Sequence, residues 1–351
     1  MSIFKKEIEE DEELDDKKID SSLKDLKPEN RKKRKEPPKP WGKKERQGIL
    51  LFFLLTVAVA VILSLASRSW KLPGFPRISF PDIHLFTTKT FVVTPSGKPD
   101  VLKYWNNKET EIINYFESAT KELTGNYTFY FQDLTDNYAF GTRENEIMTA
   151  ASLIKLPVLA TLYQEAEKGL IDLEQKYVLK AADKIGGSGS LYNQPAGTVL
   201  SYRQLAQLMA NQSDNTAFNV IRKLLGDEKI NETITKLGMV DTSLAENETS
   251  AKDIGLFFAK LYQGEIMNSE NQEELIKALT GTSYEAWIAR DIKDVIVAHK
   301  FGREINVTND GGIIFANHPF VLVIMSEGIV YRESDEAIPS MAFKIYSLVD
   351  N

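Results

Sequence analysis

Ser152 and Lys155 form a pair that could do chemistry together. They stand three apart in "TAASLIKLPV", Thr149 to Val158, and between Ala150 and Val158 all the other residues are apolar. On a helix, residues three apart share a face, so hydroxyl and amine would meet. Apolar surroundings strip water from a lysine and disfavour its charged form, and a neutral lysine can take a serine proton and so make a nucleophile of it. A core helix whose lysine stem lies along apolar surface has the same pattern. Ser-x-x-Lys also occurs at Ser21 and at Ser118, so the motif alone decides nothing. Only the copy at Ser152 follows a predicted strand pair and opens a long helix, expected from about Ser152 to Lys168.

Two further pieces follow in order. Ser213, Asp214 and Asn215 lie in "MANQSDNTAFNVI", within a predicted helical region, where the same three residue types would also serve as a helix N-cap. Lys300 and Gly302 lie in "VAHKFGREI", near the end of a predicted strand; "KLG" at Lys236 has the same form and no such setting. Ser-x-x-Lys, then Ser-Asp-Asn, then Lys-Thr-Gly is the signature of class A β-lactamases and penicillin-binding proteins. The chain resembles the class A β-lactamase family, penicillin-interacting serine hydrolases, over about residues 105 to 351. The stretch "GSGSLYNQPAGTVLSYRQLAQLMANQSDNTAFN" is part of that likeness.

The resemblance implies an α/β (α+β) fold, β-lactamase/DD-peptidase-like: an antiparallel sheet flanked by helices, with an inserted helical subdomain and the site between them. It implies that Ser152 attacks a carbonyl carbon and becomes acylated, that Lys155 activates it, and that Ser213 passes a proton to the leaving nitrogen. Asn215 would orient substrate and Lys155, and Lys300 would supply positive charge for a substrate carboxylate. The backbone N–H groups of Ser152 and Arg303, the residue after Gly302, match the oxyanion hole. Asp214 reads as structural. No cofactor and no metal are called for.

Two departures stand out. Phe301 occupies the hydroxyl position between Lys300 and Gly302, which removes one hydrogen bond to a carboxylate and leaves open whether Arg303 replaces it. In the family, a loop after the Ser-Asp-Asn helix carries a glutamate, with an asparagine four residues on, that activates the deacylating water. Here no Glu-x-x-x-Asn occurs between Asn215 and Thr249, and Glu246 and Glu248 are the nearest substitutes, with solvent-facing acids before a helix as their plainer reading.

The elements that must hold these residues follow from the hydrophobic pattern. "NYTFYFQDL" alternates Tyr127, Phe129 and Phe131 like a strand, and "DNYAFGTRENE" turns into a second one. The middle, to about Gln263, is mainly helical. Strands return at "DVIVAHKFG", "GGIIFANHP" and "FVLVIMSEG", before a last helix from about Glu336. Strands at both ends around a helical middle predict a sheet assembled from both termini.

The chain has 351 residues, 42% of them hydrophobic, so a sizeable core fits, and its net charge of -7 argues against a nucleic-acid partner. With no cysteine there is neither thiol catalysis nor a disulfide framework, and His84, His299 and His318 lack metal-ligand spacing. Residues 1–47 read as a disordered charged tail that turns basic between Arg31 and Arg46. Gly48 to Ala66 is uncharged and, as a helix, about 28 Å long, enough for a hydrocarbon core of ~30 Å. Residues 48–66 are therefore expected to be one transmembrane helix, with the basic cluster keeping the N-terminus cytoplasmic. Residues 67–100 read as a Pro-rich stalk, and 101–351 as the serine hydrolase domain, placed outside the cell membrane of a bacterium.

Three functions compete: β-lactam hydrolysis through an acyl-enzyme on Ser152, a D-Ala-D-Ala peptidase or transpeptidase acting on peptidoglycan stem peptides, and a non-catalytic cell-wall binding domain. The sequence is silent on oligomeric state.

Overall fold

A computed structural model of the chain describes residues 99–350. Helix α1, Pro99–Thr120, opens two residues before the expected domain boundary; proline suits a first helical turn, where no N–H is needed. Strands β1, Asn126–Asp133, and β2, Ala139–Thr142, follow, and after the short β3, Met148–Thr149, a 3₁₀ turn Ala151–Ile154 leads into α2, Lys155–Glu167. A small hairpin, β4 (Lys176–Val178) and β5 (Val199–Ser201), precedes α3, Tyr202–Asn211, α4, Asn215–Leu225, and α5, Asp227–Leu237. Then come β6, Glu248–Thr249, and helices α6, Ala251–Gln263, and α7, Ser269–Ala278. The chain returns to strands in β7, Val297–Glu304, β8, Val307–Ile314, and β9, Phe320–Glu327, and closes with α8, Tyr331–Val349.

The main sheet has five strands in the order β2-β1-β9-β8-β7, with every neighbouring pair antiparallel. It joins the first two strands to the last three, as the apolar pattern predicts, with eight α-helices among the described residues. Both faces are covered. Phe129, Phe131, Leu322 and Ile324 belong to the core shared with Trp105, Ile112 and Phe116 of α1 and Met341 and Ile345 of α8. Their strand neighbours Tyr130, Val321, Val323 and Met325 belong to the core shared with Ile254, Phe257 and Phe258 of α6. Two-sided burial explains why these strands read as nearly continuous apolar runs. Helix α6 lies so close to the sheet that a Cβ at Gly255 would fall 2.1 Å from the Tyr130 ring.

Helix starts follow local chemistry. Ser201 and Gln204 form a reciprocal capping box at α3, and Ser250 and Asn268 cap α6 and α7. The last helix begins at Tyr331, earlier than the expected Glu336. Its polar-looking first turn is tied down by tertiary contacts: Ser334 is buried, and Glu333 accepts the Thr124 N–H at 2.8 Å. Among the described residues no helix is long and apolar enough to cross a membrane; the expected span 48–66, the tail and nearly all of the stalk lie outside them.

Candidate active site

The turn that carries Ser152 is pinned from three sides. Ala150 N–H donates to Asn247 O at 2.7 Å, Asn309 Nδ2 donates to Thr149 O at 2.8 Å, and Thr149 Oγ1 donates to Glu327 at 2.9 Å. Ala151 sits at φ 49, Ser213 at φ 55 and Asn247 at φ 55, left-handed backbone that residues other than glycine adopt at a cost of about 1–3 kcal/mol. Three such residues around one serine mark a place where geometry is held against local preference.

Lys155, at the first turn of α2, is 2% exposed. Its Nζ lies 3.0 Å from Ser152 Oγ, 3.1 Å from Ser213 Oγ, 2.5 Å from Ser213 O and 2.7 Å from Asn215 Oδ1. The last two oxygens can only accept, so they take two N–H groups. A neutral amine then has its lone pair left for the hydroxyls. Burial pulls Lys155 down to about 7, against the opposing charges of Asp214 and Glu304. At neutral pH the amine is therefore available as a base.

Asp214 has the structural role: its Oδ1 caps α4 through Ala217 N–H at 2.9 Å, and its Oδ2 accepts from Leu191 N–H at 2.7 Å. Gly189, at φ 86, leaves room for it, since a Cβ there would lie 2.1 Å from Asp214 Oδ2. Asn215 is oriented by Nδ2 donating to Gly186 O at 2.8 Å, which points its Oδ1 at Lys155.

The edge strand β7 closes the other side. A Cβ on Gly302 would come 2.8 Å from Ser152 N and 3.2 Å from Ala150 O, so only glycine lets the strand and the turn carrying Ser152 approach this closely. His299 N–H leaves the sheet edge to reach Leu279 O at 2.9 Å. By the two-residue period, the Arg303 N–H is directed to the same edge. Lys300 is fully buried, donates to Phe301 O at 2.9 Å, and is held well below its ordinary pKa by burial and then by the charge of Lys155.

The sheet parity separates main chain from side chain at Arg303. Its guanidinium turns away from Lys300 to a bidentate pair with Asp335 of α8, at 3.0 and 3.1 Å, over the Tyr331 ring. It therefore does not stand in for the hydroxyl that Phe301 displaces, and only its backbone N–H stays with the site. Phe301 stacks on Trp287 at 4.5 Å and packs against Tyr284 at 4.2 Å. Tyr284, which the motifs did not single out, meets Ser188 across the cleft with 2.9 Å between hydroxyl oxygens.

Beneath this edge His299 is wholly buried, with Nδ1 2.8 Å from Asp310 Oδ1 and Nε2 3.3 Å from Glu285 Oε1. Burial alone would favour the neutral ring, but the two carboxylates outweigh it and push His299 up to about 9. A folded-state pKa above the unfolded value of ~6.5 gives stability that is complete below that value and lost as pH rises through about 9, on the order of 3 kcal/mol. His299→Gln is accordingly expected to lower the urea midpoint at pH 7 and to converge on the wild type by pH 10. A gap independent of pH would contradict an imidazolium there.

A serine with a buried amine at its side and a strand carrying a buried lysine packed against its N–H is the equipment of a serine hydrolase that acts on amide bonds. A family model for the β-lactamase enzyme family matches residues 108–349, and the chain belongs to that family. The β-lactamase VEB-1 of Pseudomonas aeruginosa is 27% identical over 227 residues, covering 55% of this chain and 75% of that protein. Among solved structures, a β-lactamase from Sphaerobacter thermophilus DSM 20745 superposes with a TM-score of 0.63 at 24% identity, covering 69% of this chain and 96% of that one. PBP-A does so with a TM-score of 0.64 at 22% identity, covering 69% and 95%. These two structures share the fold.

Proposed function

We propose that the chain forms an acyl-enzyme on Ser152 with β-lactams and releases it slowly. The observation that carries this reading is the set of contacts around Lys155 Nζ, which holds a buried amine on Ser152 Oγ and Ser213 Oγ at once. In this reading Lys155 takes the Ser152 proton as Oγ attacks the lactam carbonyl. The oxyanion forms between the Ser152 and Arg303 N–H groups, and Ser213 delivers a proton to the departing nitrogen. A substrate carboxylate would favour the charged form of Lys300, which burial disfavours.

Release needs a water held and deprotonated over the ester. Between α5 and α6 the chain makes a tight hairpin, Ser243 and Glu248 exchanging backbone hydrogen bonds, and Glu246 and Glu248 are both exposed. That supports slow hydrolysis, and it also favours the second reading, a D-Ala-D-Ala peptidase or transpeptidase of the cell wall. A point mutant of PBP-A, similar in fold, has been solved as an acyl-enzyme complex with penicillin G. Incubation of the chain with a fluorescent penicillin separates the readings: turnover after a burst supports a slow β-lactamase, a permanent adduct the peptidase, and no label a binding domain.

The anchor belongs to the same proposal. The uncharged run Gly48 to Ala66 behind a basic cluster supports a single-pass protein with its N-terminus in the cytoplasm, a tail over 1–47, a stalk over 67–100 and the hydrolase outside. External protease on spheroplasts is expected to degrade the hydrolase domain and spare the tail. Protection of the domain would refute that topology.

A further inference from the structure

We propose that Glu304, positioned by Asn247, is the carboxylate that deprotonates the water which releases the acyl group from Ser152. This deepens the acyl-enzyme reading and rests on it.

Alternation along β7 places Lys300, Gly302 and Glu304 on one face. Gly302 is the residue packed against Ser152 N, so Glu304 stands two residues further along the same wall of the cleft. Asn247 faces it from the hairpin between α5 and α6. Its Nδ2 donates to Glu304 Oε1 at 2.9 Å, while its backbone O receives the Ala150 N–H at 2.7 Å, two residues before the nucleophile. Asn247 therefore ties the Glu304 carboxylate to the turn that carries Ser152, and it adopts φ 55 to do so.

Asn247 Oδ1 is buried and has no hydrogen-bond partner among the described residues. An orphaned amide oxygen beside a carboxylate is a pair of acceptors for the two hydrogens of one water. The second Glu304 oxygen has no partner among the described residues and can take the proton. The other carboxylates around the site are committed elsewhere: Asp214 to two backbone N–H groups, and Asp310 and Glu285 to His299. The Glu304 charge also reaches Lys155, whose affinity for a proton it raises.

The step balances. The water oxygen bonds to the acyl carbon and one proton passes to Glu304; the bond from that carbon to Ser152 Oγ breaks, and Oγ recovers a proton equivalent to the one Glu304 took. Ester and water become carboxylic acid and free serine. Because Glu304 is exposed, water competes for it and release stays slow.

The test follows the lifetime of a benzylpenicillin adduct on the full chain by intact mass, together with its rate of formation. Glu304→Gln is expected to lengthen the lifetime by ~10²-fold with acylation changed less than about threefold. Asn247→Gly, which keeps the positive φ, should lengthen it several-fold, and Glu304→Asp should fall between wild type and Gln. Adduct lifetimes equal in wild type and E304Q, or lengthened instead by Glu246→Gln or Glu248→Gln, would overturn the assignment while leaving the acyl-enzyme intact. Neither an adduct nor hydrolysed penicillin from the wild-type chain would overturn the acyl-enzyme reading, and this role with it.

Discussion

Lys155→Met is expected to acylate with benzylpenicillin ~10³-fold more slowly than the wild type, with the fold retained. A positioned base contributes ~10²–10⁴-fold, and a factor of a thousand is about 4 kcal/mol in the barrier. Methionine fills similar volume and carries no charge to desolvate, which offsets part of the loss from unpairing Ser213 O and Asn215 Oδ1, about 1–3 kcal/mol each. The pH profile supplies an independent sign. Lys155 titrates at about 7 in the folded chain, so wild-type acylation should fall as pH drops through that value, where the amine gains a proton and ceases to be a base. Stopped-flow rates between pH 5.5 and 8.5 should show this limb in the wild type and not in the variant. A limb that survives in Lys155→Met would place the base elsewhere.

The second large effect lies in the release step. In the proposed reading acylation has its nucleophile, base and N–H donors in place, whereas the hairpin after α5 leaves Glu246 and Glu248 exposed. Without an efficient base the deacylation barrier is expected to stand about 3–5 kcal/mol higher, of which the proposed Glu304 would recover only part. Mixing enzyme and penicillin should give a burst of one product per chain, then steady release at least ~10²-fold slower than the burst. Linear product formation from the first turnover, with no adduct detectable by mass, would show that deacylation keeps pace.

What the sequence made legible was local or periodic. Ser152 and Lys155 meet because three residues span a helical turn, and the sheet from both termini followed from apolar strands at both ends. Asp214 could be read as a cap from the helix behind it. Long-range geometry was hidden. That Arg303 turns to Asp335 depends on an α8 that starts five residues earlier than its polar first turn suggests. Phe301 looked like a lost hydroxyl, and only the fold shows it stacked on Trp287. The Asn247–Glu304 contact joins residues 57 apart; strand parity alone could have placed Glu304 on the face of Lys300, but nothing local pointed to its partner. Helix α7 had no motif to draw attention to it.

The central claim is that Ser152 is the nucleophile and that its ester outlives its formation. Peptide mapping of the full chain, quenched in acid seconds after mixing with benzylpenicillin, tests it most directly. The expected result is one added penicilloyl group per chain, carried by the peptide containing Ser152 and missing from Ser152→Ala. A penicilloyl group on any other residue, or equal labelling of the Ser152→Ala chain, would contradict it.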